Sequence, residues 1–513
     1  MNILLALLCC NTCGLLNNEL VDNSSPKVVI VGAGSAGIAA ATRLLENGFT
    51  NITILEAENR IGGRVHSVNL DNDYMVDMGG QWVHGETNNV AFELAWPLGL
   101  LEKFDENYKI QMDYFGSSGI KLPRYLVRDI QRLEASVNDN IIRNKHKELQ
   151  SFAQYAELEY HEYFKEHSEV RHLVKSLLFS FQLSEMVTDG GKDTWHDISA
   201  KGIRDYADCE GDSNINWKNR TYSTILDILM KKYPNPDDEL PVLEKTYKNS
   251  KVTKINYNKS YDTVKISTAD GKEYLADHVI FTPSLGVLKA NYQRLFNPPL
   301  PEKKVTAIKN IGYGIVAKIY LYYDNPWWTI DGNYKYFINS IYWTEEDGEE
   351  IDKDPDRNWM LGVYGIVPVE HKPKLLCLWM SSARAIEMEL IPDDIFRVQI
   401  MELLNRFFGN YYNITEPTKI IRSSWNINDN FRGAYSYPSI AAETMDVNYV
   451  DLSEPIMRNE KPILQFSGEA TSEHFATVHG AIESGWREAD RLINLYSKTN
   501  ELSQFLKRIN QKS

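Results

Sequence analysis

Residues 27–64 read KVVIVGAGSAGIAAATRLLENGFTNITILEAENRIGGR. Val28 to Val31 are four consecutive β-branched residues, the pattern of a parallel strand buried on both faces. Gly32, Gly34 and Gly37 follow at G-x-G-x-x-G spacing. The first permits a tight turn, the second lets backbone approach a pyrophosphate, and the third lets a helix pack against the strand. A helical run from Ile38 to Asn47 and a second strand, Ile52 to Leu55, lead to Glu56, 19 residues after Gly37. There a carboxylate can take a ribose hydroxyl pair. The unpaired N–H groups and positive dipole of the helix start would hold the phosphates. Strand, glycines, helix, second strand and acid together predict a dinucleotide-binding βαβ unit.

Working outward, Glu58-Asn59-Arg60-Ile61-Gly62-Gly63-Arg64 puts paired glycines and cationic forks beside the same phosphates. Tyr74 to Gly85 (YMVDMGGQWVHG) adds three glycines, Trp82 and His84, suggesting backbone pressed against a flat ligand. Farther on, Gly312 to Leu321 reads as a strand with Lys318 inside it. That lysine is either an edge residue facing solvent or a buried group that needs partners. Ile463 to Ala470 ends a strand on Gly468-Glu469, and Thr477-Val478-His479-Gly480-Ala481 opens a helix reaching about Tyr496.

The rest of the chain frames these motifs. Its 513 residues, 43% hydrophobic and 24% charged, suit a soluble protein of two or more domains. A net charge of −15 repels nucleic acid and draws in cations, either as general solubility charge or in service of a polycationic substrate. Residues 124–186 carry charge with helical apolar spacing and read as a helical insertion; Tyr222 to Lys232 reads as an amphipathic helix. Lys251 to Leu275 alternates like a β-meander around an Asp270-Gly271 turn, and His278 to Phe281 reads as another buried strand. Residues 344–359 read as an exposed acidic loop.

Cysteine usage excludes a disulfide framework and a clustered metal site: beyond Cys9, Cys10 and Cys13 there are only Cys209 and Cys377, read as buried thiols, with a single pairing of the two left open. Trp195-His196-Asp197 lacks a matching ligand cluster, so no metal is expected. The first 16 residues fit a secretory signal, although no Lys or Arg precedes their apolar run; a cytoplasmic protein is the alternative. Sequons at Asn23, Asn51, Asn219, Asn258 and Asn413 suit a secreted glycoprotein, with Asn51 at a strand entrance where access is restricted. No window predicts a membrane span.

These motifs, in this order from Lys27 to about Leu495, resemble the flavin-containing amine oxidases, and within them the polyamine oxidases, including animal spermine oxidases. The resemblance implies an α/β fold in which a discontinuous, Rossmann-like FAD-binding domain (27–110, 217–310, 431–496) interleaves with an α+β substrate domain (111–216, 311–430), followed by a tail (497–513). It implies cofactor contacts from Gly32, Gly34, Ser35, Ala36, Gly37, Glu56, Ala57, Gly63, Arg64, Gly80, Gln81, Trp82, Val83, Val252, Gly468, Glu469, Thr477 and Val478. FAD would be non-covalent, because Glu469 to Gly480 lacks the cysteine some monoamine oxidases use. Lys318 matches a lysine that holds water against the flavin, and His84 a histidine near the substrate nitrogen. Trp82, Tyr435 and Thr477 match positions lining the substrate site; Thr477 stands where plant enzymes have a second aromatic wall, as in animal polyamine oxidases, and departs from the two-aromatic cage of monoamine oxidases. The implied reaction is oxidation of a polyamine C–N bond, with O2 reduced to hydrogen peroxide. Spermine, spermidine and acetylated forms stay open, as does the oligomeric state. Alternatives are a monoamine or L-amino-acid oxidase on the same fold, or a non-catalytic flavin-fold binding protein.

Overall fold

The Val28–Val31 strand lies inside a six-stranded sheet in a computed structural model that describes residues 25–71, 74–103, 111–184, 194–258, 262–328 and 337–510. The sheet order is Ile456–Arg458, Lys461–Phe466, His278–Phe281, Val28–Val31, Ile52–Leu55, Thr246–Tyr247. All neighbours are parallel except the first pair. The β-branched run is buried on both sides, as its composition requires. Val28 and Ile30 face a core with Ile38, Ala41 and Leu44 of the Ser35–Glu46 helix and with Ile482 and Leu492 of the last helix. Val29 and Val31 face Ile255, Val264 and Ile266 of the meander. Three meander strands, Val252–Asn256, Val264–Thr268 and Glu273–Ala276, form a second sheet with Phe296–Asn297.

A second six-stranded sheet runs Lys419–Arg422, Val316–Tyr322, Lys372–Ser381, Val363–Val369, Phe337–Tyr342, Gln111–Gly116. It is antiparallel apart from its last pair. The helices Arg124–Ile142, Phe152–Glu166 and Val174–Ser184 share a core with Tyr114 and Tyr342 of this sheet. Chain segments cross repeatedly between the two sheets, so the fold is α/β with interleaved parts.

Several local expectations change. Residues 344–359 are not a plain loop: Glu345–Asp352 is a helix, capped by the Thr344 hydroxyl accepting Asp347 N–H. Three acids in its first turn suit the positive helix end. Arg357 and Arg406 bind the surrounding carboxylates, and Ile351 is buried beneath. The predicted helix from Tyr222 shrinks to Thr224–Leu229, and the last helix runs from Val478 to Asn510, beyond Tyr496. Asn51 is exposed just before its strand, as are Asn219, Asn258 and Asn413. Asn23, the leader and its three cysteines lie outside the described residues. Among those described, no helix is long and apolar enough to cross a membrane.

Candidate active site

The two sheets meet around a cavity of about 760 Å3. Its first end is the glycine cradle. Gly32 turns at φ +99°, and a Cβ there would stand 2.5 Å from Thr282 Oγ1. The Ser35–Glu46 helix starts at Gly34 with no side-chain cap, so its first N–H groups are open to the cavity. The Ser35 hydroxyl is buried there with no protein partner. Gly34 forms a bridge with Gly62, and a Cβ on Gly63 would come within 3.2 Å of Gly34 Cα. Open donors, an orphaned buried hydroxyl and backbone stripped of side chains fit a diphosphate. Glu56 stands beside them, accepting Ala33 and Glu58 N–H at 2.7 Å each. Burial raises its pKa, and those two N–H groups pull it back.

Glu469 organises the middle of the wall. One oxygen accepts Arg64 Nη1 at 2.8 Å. The other accepts the Ser436 hydroxyl at 2.6 Å, Ser436 N–H at 3.3 Å and Ala476 N–H at 2.9 Å. Ala476 has φ +66°, unusual for a residue with a Cβ. This carboxylate therefore fastens three wall segments together; its oxygens are occupied by protein donors rather than left for a ligand. Thr477 likewise spends its hydroxyl on the chain, donating to His474 O (2.7 Å) and accepting Gly480 N–H (3.0 Å) as the cap of the last helix.

Lys318 lies at the far end. Its strand is paired on both sides, so it is no edge residue, and the side chain is buried. Nζ donates to Asp77 O (3.1 Å), Gly79 O (2.7 Å) and Gln81 Oε1 (2.9 Å). Burial lowers its pKa to about 8, with Asp77 and Glu370 opposing the shift. The cross-strand partner of Lys318 is Trp379, whose ring centre is 4.4 Å from Nζ. Trp82 stacks on Trp379 at 5.6 Å and donates its indole N–H to Glu370 at 3.1 Å. Gln81 Oε1 also accepts the Tyr320 hydroxyl at 3.3 Å, so its NH2 group is the part left to face the cavity.

His84 Nδ1 is 2.6 Å from Ser213 O. A carbonyl only accepts, so Nδ1 carries the hydrogen and Nε2 keeps its lone pair. By surface area the ring is exposed, yet it is densely surrounded by protein, because what it is exposed to is the cavity. Burial lowers its pKa, against the Ser213 carbonyl and Asp208, and the ring is neutral at pH 7. Among the described residues, no group of three or more His, Cys, Asp or Glu is placed to hold a metal ion.

Nearly all residues named from the sequence line this one cavity: Gly32, Gly34, Ser35, Ala36, Glu56, Ala57, Gly63, Arg64, Gly80, Gln81, Trp82, His84, Val252, Lys318, Tyr435, Gly468, Glu469, Thr477 and Val478. Gly37 and Val83 are not in its wall. A Cβ on Gly37 would sit 2.0 Å from Gly32 O, so that glycine serves helix–strand packing. Val83 is fully buried and bridges Ile215. Cys209 and Cys377 are free, buried thiols outside the wall. His196 meets Glu157 at 3.2 Å near the surface. Sequence reasoning missed Trp379, Asn138, Tyr206 and Phe475. Trp379 was within reach only through the strand register, and the other three carry no local motif.

Comparison with known proteins agrees with this geometry. The family model for flavin containing amine oxidoreductases matches residues 35–200 and 242–493. The chain is 28% identical over 508 residues to the human peroxisomal N(1)-acetyl-spermine/spermidine oxidase, covering 92% of this chain and 96% of the relative. It is 26% identical over 504 residues to polyamine oxidase 1 of Zea mays, covering 94% and 93% respectively. A putrescine oxidase structure with bound putrescine superposes with a TM-score of 0.63 at 20% identity, covering 91% of this chain and 99% of that one. With the family model matched across most of its length and one cavity leading from the glycine cradle to a buried lysine, the chain belongs to the flavin-containing amine oxidoreductases.

Proposed function

We infer that the protein is a polyamine oxidase that binds FAD without a covalent link. The observation that carries this is the continuity of one cavity from the Gly32–Gly34–Ser35 cradle to Lys318 and His84. Ser35, Glu56, Arg64, Gly80 and Trp82 would hold the cofactor along that length. The non-covalent link is supported by the described residues of the cavity wall, none of which is a cysteine. Bound flavin supplies the two-electron acceptor for hydride from the carbon beside the reacting nitrogen, and delivers those electrons to O2.

The chain's own residues prepare the amine. A free amine with a pKa of about 10 arrives protonated. Walls made of Trp82, Trp379, Tyr435 and Phe475 disfavour the ammonium form. The neutral Nε2 of His84 can accept the ammonium hydrogen. Lys318, with a pKa of about 8, exchanges between two states. As an ammonium it spends all three hydrogens on Asp77, Gly79 and Gln81. As an amine it keeps two donors and offers a lone pair to water. Water then hydrolyses the imine product to an aldehyde and a shorter amine.

An amino-acid oxidase reading finds less support. The only arginine in the described wall is Arg64, and it is committed to Glu469 and Ala434 O. Arg432 stands outside the wall and pairs with Asp429. Secretion is part of the proposal, supported by the apolar leader and by four exposed sequon asparagines. Hydrogen-peroxide release from a panel of free and acetylated polyamines, monoamines and amino acids tests the activity. Turnover confined to amino acids or monoamines would refute it.

A further inference from the structure

Lys318 stands in the cavity wall, yet as an ammonium it has no hydrogen left for the cavity. It carries three donors and no acceptor. Those donors go to Asp77 O, Gly79 O and Gln81 Oε1. The first two partners are backbone carbonyls; the third belongs to a side chain that itself lines the cavity. An ammonium only donates, so the amide oxygen of Gln81, not its NH2 group, faces Lys318. The Tyr320 hydroxyl has a single hydrogen and stands nearer Asp77 O (2.7 Å) than Gln81 Oε1 (3.3 Å), which leaves Lys318, at 2.9 Å, as the donor that fixes the amide. Among the described residues nothing hydrogen-bonds the Gln81 NH2 group, and the side chain is half-buried in the cavity wall. The donor beside it is committed elsewhere, since Trp82 gives its indole N–H to Glu370.

The backbone that carries Gln81 is fixed on both sides. Gly80 N–H donates to Arg64 O at 3.3 Å, and a Cβ on Gly79 would stand 1.7 Å from that same oxygen. Met78 N–H donates to His66 O, and its carbonyl accepts Trp425 Nε1 at 2.9 Å. Beyond Gln81, Val83 pairs with Ile215. The amide is thus aimed by its surroundings and needs little reorganisation when charge develops beside it. A hydrogen bond from an ammonium draws electron density toward the amide oxygen and makes the N–H groups stronger donors, a cooperative effect favoured where water is excluded.

We propose that Gln81 is the link between Lys318 and the redox group: its oxygen takes a lysine hydrogen, and its NH2 group donates to the polar edge of a flavin ring in the cavity, favouring the negative charge that reduction places there. As an ammonium, Lys318 is then a positioning residue that acts through Gln81. This rests on the flavin-binding part of the reading above and is independent of which amine is oxidised.

Midpoint potentials of four flavoproteins form a double-mutant cycle: wild type, Lys318→Met, Gln81→Met and the double variant. They are read by reductive dye titration at about pH 6, below the Lys318 pKa of about 8, so that the lysine is charged wherever it is present. Lys318→Met alone should lower the equilibrium constant for two-electron reduction about tenfold, a fall of about 30 mV. Gln81→Met should lower it by a similar amount. In the Gln81→Met background, Lys318→Met should then change it by less than about threefold. A Lys318→Met shift of equal size in both backgrounds places the action of the lysine in water or through space and overturns the link, as does an unchanged potential in Gln81→Met. If Gln81→Met does not hold flavin, Gln81→Glu decides: it keeps an acceptor for Lys318 and removes the NH2 group, so the potential should fall, and an unchanged potential overturns the link. Flavin bands without peroxide from any polyamine refute the substrate reading and leave these potentials decisive. Protein purified without flavin absorption refutes the flavin reading and the link with it.

Discussion

Replacing Lys318 with methionine should leave the fold intact and cripple the chemistry. The ammonium is buried and its pKa falls from 10.5 to about 8. At about 1.4 kcal/mol per unit, that shift means the charged form costs the native state about 3 kcal/mol at pH 7. Methionine removes that cost. It also removes three hydrogen bonds, and the single hydrogen of the Tyr320 hydroxyl can serve one of the three acceptors, Asp77 O at 2.7 Å. Gly79 O and Gln81 Oε1 are left needing a donor, a loss of about 2–6 kcal/mol. The opposing amounts agree to within about 3 kcal/mol, so Tm should move by no more than ~10 °C. Flavin content should match wild type, because the lysine binds protein groups rather than the cradle. The half-reactions should behave differently. Without a titrating amine beside Gln81, amine-driven flavin reduction and oxygen-driven reoxidation should slow, at least one of them by about 100-fold or more. Stopped-flow absorbance under anaerobic and aerated conditions reads both. Wild-type rates in both half-reactions would refute the role given to Lys318; a fall in Tm beyond about 10 °C would refute the balance of energies.

Three other outcomes are expected. Glu469→Ala leaves Arg64, Ser436 and Ala476 without their shared acceptor, so flavin should be lost on gel filtration and stability should fall by about 3–5 kcal/mol; full flavin retention would show that the carboxylate does not hold the wall. His84 has its pKa lowered by burial, so only acid should charge it, and KM for a polyamine should rise as pH drops through that depressed pKa; His84→Gln should remove this acid limb, and an unchanged profile would assign it to another group. Glu134 is buried against the Tyr114 and Tyr160 hydroxyls, and burial raises its pKa from 4.5 to about 7. Between those values the native state holds a proton that the unfolded chain has released, so stability should fall as pH rises from 4.5 to 7. The full effect, about 3 kcal/mol as an upper value, should be reached above pH 7. Glu134→Gln should flatten that slope in a Tm-versus-pH series, and a parallel slope would dismiss Glu134 as its source.

The cradle was legible because each of its requirements is local. A β-branched run, glycines at fixed spacing and an acid at the next strand end specify geometry within one βαβ unit, and Gly32, Gly34, Ser35 and Glu56 stand together as that spacing demands. Lys318 could be noticed in its strand, but edge and interior positions read alike in one dimension. Only the pairing of Val316–Tyr322 with both Lys419–Arg422 and Lys372–Ser381 buries it. The helix at Glu345–Asp352 was hidden by its acidity, which the Thr344 cap, the helix dipole, Arg357 just beyond its end and the distant Arg406 neutralise.

By itself, then, the sequence determined the nucleotide cradle, the parallel sheet around it and the membership of a family, since these depend on spacing along the chain. The tertiary structure decided what the other end of the cavity does. The hydrogen on His84 is set by the Ser213 carbonyl, the proton affinity of Lys318 by its burial, and the oxygens of Glu469 by donors from three separate segments. Asn138 and Tyr206 come to the wall from an insertion with no motif of its own. These properties belong to contacts between residues tens to hundreds of positions apart, and residue spacing along the chain carries no record of them.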